Sequence, residues 1–166
     1  ASSLTVLFVP GNCDPSSLAD ETSVEGAKCL HGRVVEVGGL QFIGLGGSPP
    51  SPFSTPFEIS EEELAQILVR AAEKINVKER LIVLSHSPPS AARVDLTSSG
   101  LNVGSVSLRS FVLEHHAIGV LCGHVHEACG SERVNDCMVV NVGPADRGSC
   151  ALIDVDERFI VRLESL

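Results

Sequence analysis

Tryptophan and tyrosine are absent, methionine occurs once, and six phenylalanines supply all the aromatic rings among 166 residues. A core must therefore be assembled from Val, Leu, Ile and Ala. Basic residues are few, 12 Lys and Arg against 21 Asp and Glu, which leaves a formal charge of −9. No stretch gathers Lys and Arg into a polyanion-binding face, which argues against polymeric nucleic acid as a partner. No apolar run approaches the roughly 20 residues that a membrane span needs, and Ala1-Ser2-Ser3 lacks the charged region of a signal peptide. The expectation is a cytoplasmic protein without a membrane partner. No CxxC occurs, and the six cysteines, at 13, 29, 122, 129, 137 and 150, follow no spacing of a small secreted domain. Most of them are expected to be reduced, buried small hydrophobes. The length fits one globular domain or part of one. The absence of an initial Met agrees with a processed or incomplete start.

Several segments carry clear secondary-structure signals. Leu4 to Pro10 is an apolar run closed by Pro and Gly, and reads as a buried strand after which residues 14–29 are polar. Arg33 to Val37 and Leu40 to Leu45 flank Gly38-Gly39, a pair suited to the positive φ of a tight hairpin. Residues 46–57 hold four prolines and two glycines, which excludes a helix or a central strand there. Ser60 followed by Glu63 is a capping box; Leu64, Ile67, Leu68, Ala71 and Ile75 then recur at helical spacing, with Arg70, Lys74 and Lys78 towards the end. Glu61 to Glu63 read simply as the acidic first turn of that helix. Leu81 to Leu84 is an apolar strand, Ser105 to about His116 a shorter helix, and Ile118 to Cys122 another apolar strand. Met138 to Val142, Ser149 to Val155 and Phe159 to Leu163 read as strands, the last two joined across Asp156-Glu157. Strands with interspersed helices and no long linker point to a layered α/β sandwich.

Three apolar strands run directly into short polar motifs: Gly11-Asn12-Cys13-Asp14, then His86, then Gly123-His124-Val125-His126. Ligands of open α/β sheets bind at the carboxyl ends of the strands. If these strands are parallel neighbours, Asn12, His86, His124 and His126 converge on one rim. Three imidazoles and an amide oxygen suit a borderline divalent metal such as Mn, Fe or Zn. Each residue alone has an ordinary explanation, Asx residues in a turn or a hydrogen-bonded strand-end His. Their conjunction and order carry the signal, with Gly11 and Gly123 placed where the backbone must turn sharply.

The order GN-x-D, an apolar strand ending in H-x-P-P, then GH-x-H resembles the calcineurin-like metallophosphoesterase superfamily. HGRVVEVGGLQFIGLGG, GLNVGSVSLR and CGHVHEACG resemble, more narrowly, a branch of Icc-related predicted phosphoesterases, and the likeness covers essentially the whole chain. The resemblance implies a four-layer α/β/β/α sandwich and two divalent metal ions at its rim, manganese before iron or zinc. Asn12, His86 and His124 would bind one ion and His126 the other. A hydroxide bridging the ions would attack phosphorus in line with the leaving group of a small phosphodiester or phosphomonoester. The two cations would lower the pKa of that water and offset phosphoryl charge.

The chain also departs from the family pattern. Cys13 stands where many members have a His that assists the leaving group. A thiol is the poorer proton donor to an alkoxide, which favours good leaving groups or phosphodiesters. Asp14 would orient its neighbours by hydrogen bonding, and Asn102 stands where the resemblance calls for a His on the substrate side. The family's D-x-H and GD-x-x-D motifs, which supply an Asp, a His and the bridging Asp, do not occur. Residues 1–166 are therefore expected to be the C-terminal part of a longer phosphoesterase domain, without its N-terminal strands. The rival is a catalytically incomplete scaffold that pairs its edges with a protein partner, and assembly with further copies of the chain is left open. The Pro-rich residues 46–57 border either the substrate mouth or a subunit contact, or serve as a rigid connector.

Overall fold

The computed structural model describes residues 4–76, 80–156 and 158–166. Its centre is a six-stranded sheet built on the apolar runs. Strands β4 (Val34–Val37), β5 (Leu40–Leu45), β6 (Arg80–Ser85), β7 (Gly119–Cys122), β8 (Gly130–Val134) and β9 (Cys137–Asn141) lie in the order β4-β5-β6-β7-β9-β8. β5, β6, β7 and β9 are parallel neighbours, while β4 and β8 close the two edges as antiparallel hairpin partners. The β4-β5 hairpin turns across Gly38 and Gly39, with φ of 60° and 76°, as a two-residue primed turn requires.

Parallel strands need crossovers, and two of them are helices on one face. Helix α1 (Glu61–Ala72) begins at Ser60, whose side chain accepts from the Glu63 backbone while Glu63 answers back, the expected capping box. It is shorter than its apolar periodicity: Ile75 lies beyond its end, and Lys78 falls outside the described residues. Helix α2 (Val106–Glu114) is capped by Ser105. Glu61 is more than an acidic first-turn residue. Its carboxylate accepts from Ser105 Oγ and from the backbone N–H groups of Val106 and Ser107, at 2.8–3.0 Å, so α1 caps the start of α2. Leu64, Leu68 and Ala71 of α1 and Leu108, Phe111 and Val112 of α2 form one core with Ile43, Leu81, Val83, Val120 and Val139 of the sheet.

The opposite sheet face carries a second, smaller sheet. Strands β10 (Ser149–Val155) and β11 (Phe159–Ser165) form an antiparallel hairpin, and Glu157 of the expected turn lies outside the described residues. The Phe159 ring lies on Gly119 so closely that an added Cβ would stand 2.4 Å from it. Helices, main sheet and second sheet make an α/β sandwich; a second helical layer is not found among the described residues.

Two expectations about the first 29 residues need correction. Leu4 to Pro10 is not a buried strand: only β1 (Leu7–Phe8) is paired, and Leu4 and Val6 are 95% and 55% exposed. An apolar run cannot tell a sheet centre from an edge, and β1 has a single neighbour. That neighbour, β3 (Ala27–Cys29), arises within the stretch read as merely polar, as does β2 (Ser23–Val24), in a sheet ordered β1-β3-β2. Glu25 and Gly26 supply the positive φ of their turn. The cysteines are also less uniform than expected. All six are free, but only Cys29, Cys122 and Cys137 are buried; Cys150 is half-buried, and Cys13 and Cys129 are exposed.

Candidate metal centre

β6 and β7 end side by side, and the ladder continues past them. His86 N–H donates to Leu45 O at 2.9 Å, and Gly123 N–H to His86 O at 3.0 Å. His86 and His124 are thus carried to the same rim. Asn12 arrives by another route, since β1 belongs to the three-stranded sheet β1-β3-β2 rather than the main one. Pro10 O accepts from Gly47 N–H at 2.9 Å, and a Cβ on Gly46 would stand 2.8 Å from Pro10. The segment entering Asn12 is therefore seated directly on the turn that follows β5.

The three side chains converge. His86 Nε2 lies 2.9 Å from Asn12 Oδ1 and 3.2 Å from His124 Nδ1, with the imidazole centroids 5.0 Å apart. Two ligand atoms held at about 2.1 Å from one cation and at right angles to each other are about 3.0 Å apart. These separations match the edge length of such a coordination polyhedron, so the donor set fits a metal. Burial first, then the positive field of His124, holds His86 well below the ordinary imidazole range, at about 4, against the opposing pull of Asp14. Burial, then His126, lowers His124 as well. Both rings are accordingly neutral near pH 7, the form that offers a lone pair.

His126 is the exception to the expected convergence. It opens the 3-10 turn His126–Ala128 and is exposed, close enough to act electrostatically on His86 and His124. Among the described residues no three His, Cys, Asp or Glu side chains cluster as metal ligands; the group becomes three only through the Asn12 amide. Cys13 is exposed, and Asp14 Oδ2 accepts from Gly11 N–H at 2.7 Å.

Both motif glycines stand where the backbone turns, as expected: Asp14 N–H closes on Gly11 O at 3.2 Å, and a tighter turn starts at Gly123. Neither Gly11 nor Gly123 has a positive φ. Gly11 is needed for close approach, since a Cβ there would stand 2.9 Å from His86 Cε1. The sharp turn falls on His124 itself, at φ 68°, where Val125 N–H closes on Gly123 O at 2.8 Å in a γ-turn. Such a turn is rare and strained for a residue with a side chain.

Residues with no motif signature hold this geometry. Asn12 Nδ2 donates to Thr55 Oγ1 at 3.1 Å, which leaves Oδ1 for His86. Thr55 is fixed by Glu58, whose carboxylate accepts from Ser51 Oγ at 2.6 Å, Ser51 N–H at 3.1 Å, Thr55 N–H at 2.9 Å and Thr55 Oγ1 at 2.8 Å. Led by the Ser51 hydroxyl, these bonds lower Glu58 to about 2. Fully buried Asn141 donates to Val94 O and Val125 O and accepts from Gly143 N–H, tying the His124 turn to residues 93–95. Buried Asp95 accepts from Ala92 N–H, Gly104 N–H and Asn102 Nδ2. Asn102 is thereby committed to holding its own loop. A buried polar residue inside an apolar stretch, such as Asn141 after Met-Val-Val, was the one available signal for this set.

A cleft of about 720 Å³ opens over Asn12 and His124, lined by Pro49–Phe53 and by the loop Thr97–Gly104. The Pro-rich segment therefore borders the mouth.

A family model described as calcineurin-like phosphoesterase matches residues 2–128. An uncharacterized protein of Methanocaldococcus jannaschii is 30% identical over 145 residues, covering 85% of this chain and 65% of that protein. One crystal structure, 24% identical, is similar with a TM-score of 0.78 over 98% of this chain and 66% of its own. A Thermus thermophilus crystal structure, 19% identical, has a TM-score of 0.59 over 82% of this chain and 58% of its own. The chain thus spans just under two thirds of the first relative and of the first structure.

Proposed function

The chain belongs to the calcineurin-like phosphoesterase family, and from that premise we propose that it contributes a metal-dependent phosphoesterase site for small phosphodiesters or phosphomonoesters. The observation that carries this is the meeting of Asn12 Oδ1, His86 Nε2 and His124 Nδ1 beneath the cleft. Asn12, His86 and His124 would hold one divalent cation and His126 a second, manganese before iron or zinc. When bound, the cations lower the pKa of water and offset phosphoryl charge.

The chain's own residues do the positioning. Thr55 turns the Asn12 amide so that its oxygen faces the histidines, and the γ-turn at His124 directs Nδ1 towards His86. Asp14 holds the Gly11 backbone under the His86 ring. Cys13, exposed beside Asn12, offers a leaving alkoxide a weaker proton donor than imidazolium, which favours esters of good leaving groups. The donors that D-x-H and GD-x-x-D motifs would supply we assign to residues outside this sequence. Its setting in the cytoplasm is part of the same proposal.

The test is Mn²⁺ binding followed by electron paramagnetic resonance, together with hydrolysis of bis(p-nitrophenyl) phosphate. Mn²⁺-dependent hydrolysis that disappears on chelation and in His124→Ala is expected. A folded protein saturated with Mn²⁺ and inert towards the ester would overturn the proposal in favour of a binding scaffold.

A further inference from the structure

Phe53 is 82% exposed at the mouth of the cleft, and Leu101, on the second lining loop, is 63% exposed. A single exposed apolar residue is ordinary. Two on loops locked in place are not, because a rigid presentation removes the entropy cost of ordering them on binding. The Phe53 loop is locked twice. Pro49, Pro50 and Pro52 restrict φ, and Glu58 ties Ser51 to Thr55 around it, with Phe53 N–H donating to Ser51 Oγ at 3.2 Å. The Leu101 loop is pinned by Thr97, whose Oγ1 accepts from Leu101 N–H at 3.1 Å and donates to Leu101 O at 3.0 Å, and by Asn102 on Asp95.

Charge narrows what fits between these loops. Among the described residues no lysine or arginine lines the cleft; the one charged side chain that does is Glu127, whose carboxylate accepts from Ser98 N–H at 2.9 Å. A substrate group reaching out from the metal site thus meets apolar rims and a carboxylate, and nothing that would neutralise a second phosphate. The cleft volume is that of a small-ligand site.

We propose that Phe53 and Leu101 are specificity-determining residues that receive an aromatic, uncharged alcohol group of a phosphodiester. This rests on the phosphoesterase proposal for the same cleft. The probes are two non-hydrolysable monoanions, the monomethyl esters of benzylphosphonate and of methylphosphonate, titrated calorimetrically into the Mn²⁺-loaded protein. The benzyl probe is expected to bind about tenfold tighter or more, the scale set by burying an aromatic ring. A para-phosphonate on its ring should weaken it. In Phe53→Ser and Leu101→Ser, both exposed and so expected to fold, the preference should fall to within about threefold while Mn²⁺ affinity is unchanged. Equal binding of the two probes by the wild type, or a preference surviving in both variants, overturns the proposal. Mn²⁺-dependent hydrolysis with no aryl preference would remove the specificity rim alone. An aryl preference that disappears in the variants, in a protein inert to every ester, would retain the rim and remove the enzyme.

Discussion

Replacing Asn141 by Ala probes whether the metal centre depends on the core beneath it. The amide is fully buried and donates to Val94 O at 3.1 Å and Val125 O at 2.8 Å, while its oxygen accepts from Gly143 N–H at 3.0 Å. Val125 O retains a second partner, Ala128 N–H at 3.0 Å. The Val94 carbonyl and the Gly143 N–H lose the bonds that Asn141 makes to them. Three net hydrogen bonds at about 1 kcal/mol each put the loss near 3 kcal/mol, and stranded groups add to it. For a chain of this size that lowers Tm by about 6–12 °C. The release of Val125 frees the γ-turn that aims His124, so Mn²⁺ affinity should fall by about tenfold, as when a ligand's supporting partner is removed. Thermal unfolding of the metal-free protein and Mn²⁺ titration read the two effects separately. A Tm within about 2 °C of wild type would refute the energetic argument. A large Tm loss with unchanged Mn²⁺ affinity would refute the claim that Asn141 positions His124.

Gly11→Ala places a Cβ 2.9 Å from His86 Cε1, so Mn²⁺ affinity should drop by about tenfold with little change in Tm; unchanged affinity would show that the ring yields freely. His86 has a folded pKa of about 4 against an ordinary 6.5, so across that window the unfolded chain binds the extra proton. Its contribution to metal-free stability is complete above pH 6.5 and lost as pH falls towards 4, with a slope of up to about 1.4 kcal/mol per pH unit, and His86→Gln should flatten urea-unfolding stability across this range. Exposed Cys13 and Cys129 should react quickly with a disulfide reagent in the native protein. Cys29, Cys122 and Cys137 should wait for unfolding, since burial shields them and raises the thiol of Cys122 and that of Cys137, the latter to about 12; more than three rapidly reacting native thiols would contradict the packing described.

Local signals explain which expectations were met. Gly38-Gly39 permits one kind of hairpin, and Ser60 with Glu63 permits one helix start, because each choice is settled within four residues. β6, β7 and β9 were legible for a related reason, being apolar runs bounded by turn residues. β1 differs because only neighbours decide: a largely apolar run of seven residues reads the same at a buried centre and at an exposed edge. β2, β3 and β8 carry no such signal, because polar strands lack that contrast.

The residue types of the candidate site were determined by the sequence alone: an Asn and three His following apolar strands, with prolines stiffening the loop beside them. Tertiary structure decided which of them meet. Parallel pairing of β6 and β7 brought His86 to His124, and seating Pro10 against Gly46 and Gly47 brought Asn12 to both. His126 remained exposed because the γ-turn at His124 sends the next residues into a short 3-10 turn. The supports, Thr55, Glu58, Asp95 and Asn141, carry no motif. Glu58 and Asp95 find their partners within nine residues, whereas Thr55 meets Asn12 and Asn141 meets Val94 and Val125 only in the folded chain, where a buried amide such as that of Asn141 must find a hydrogen bond.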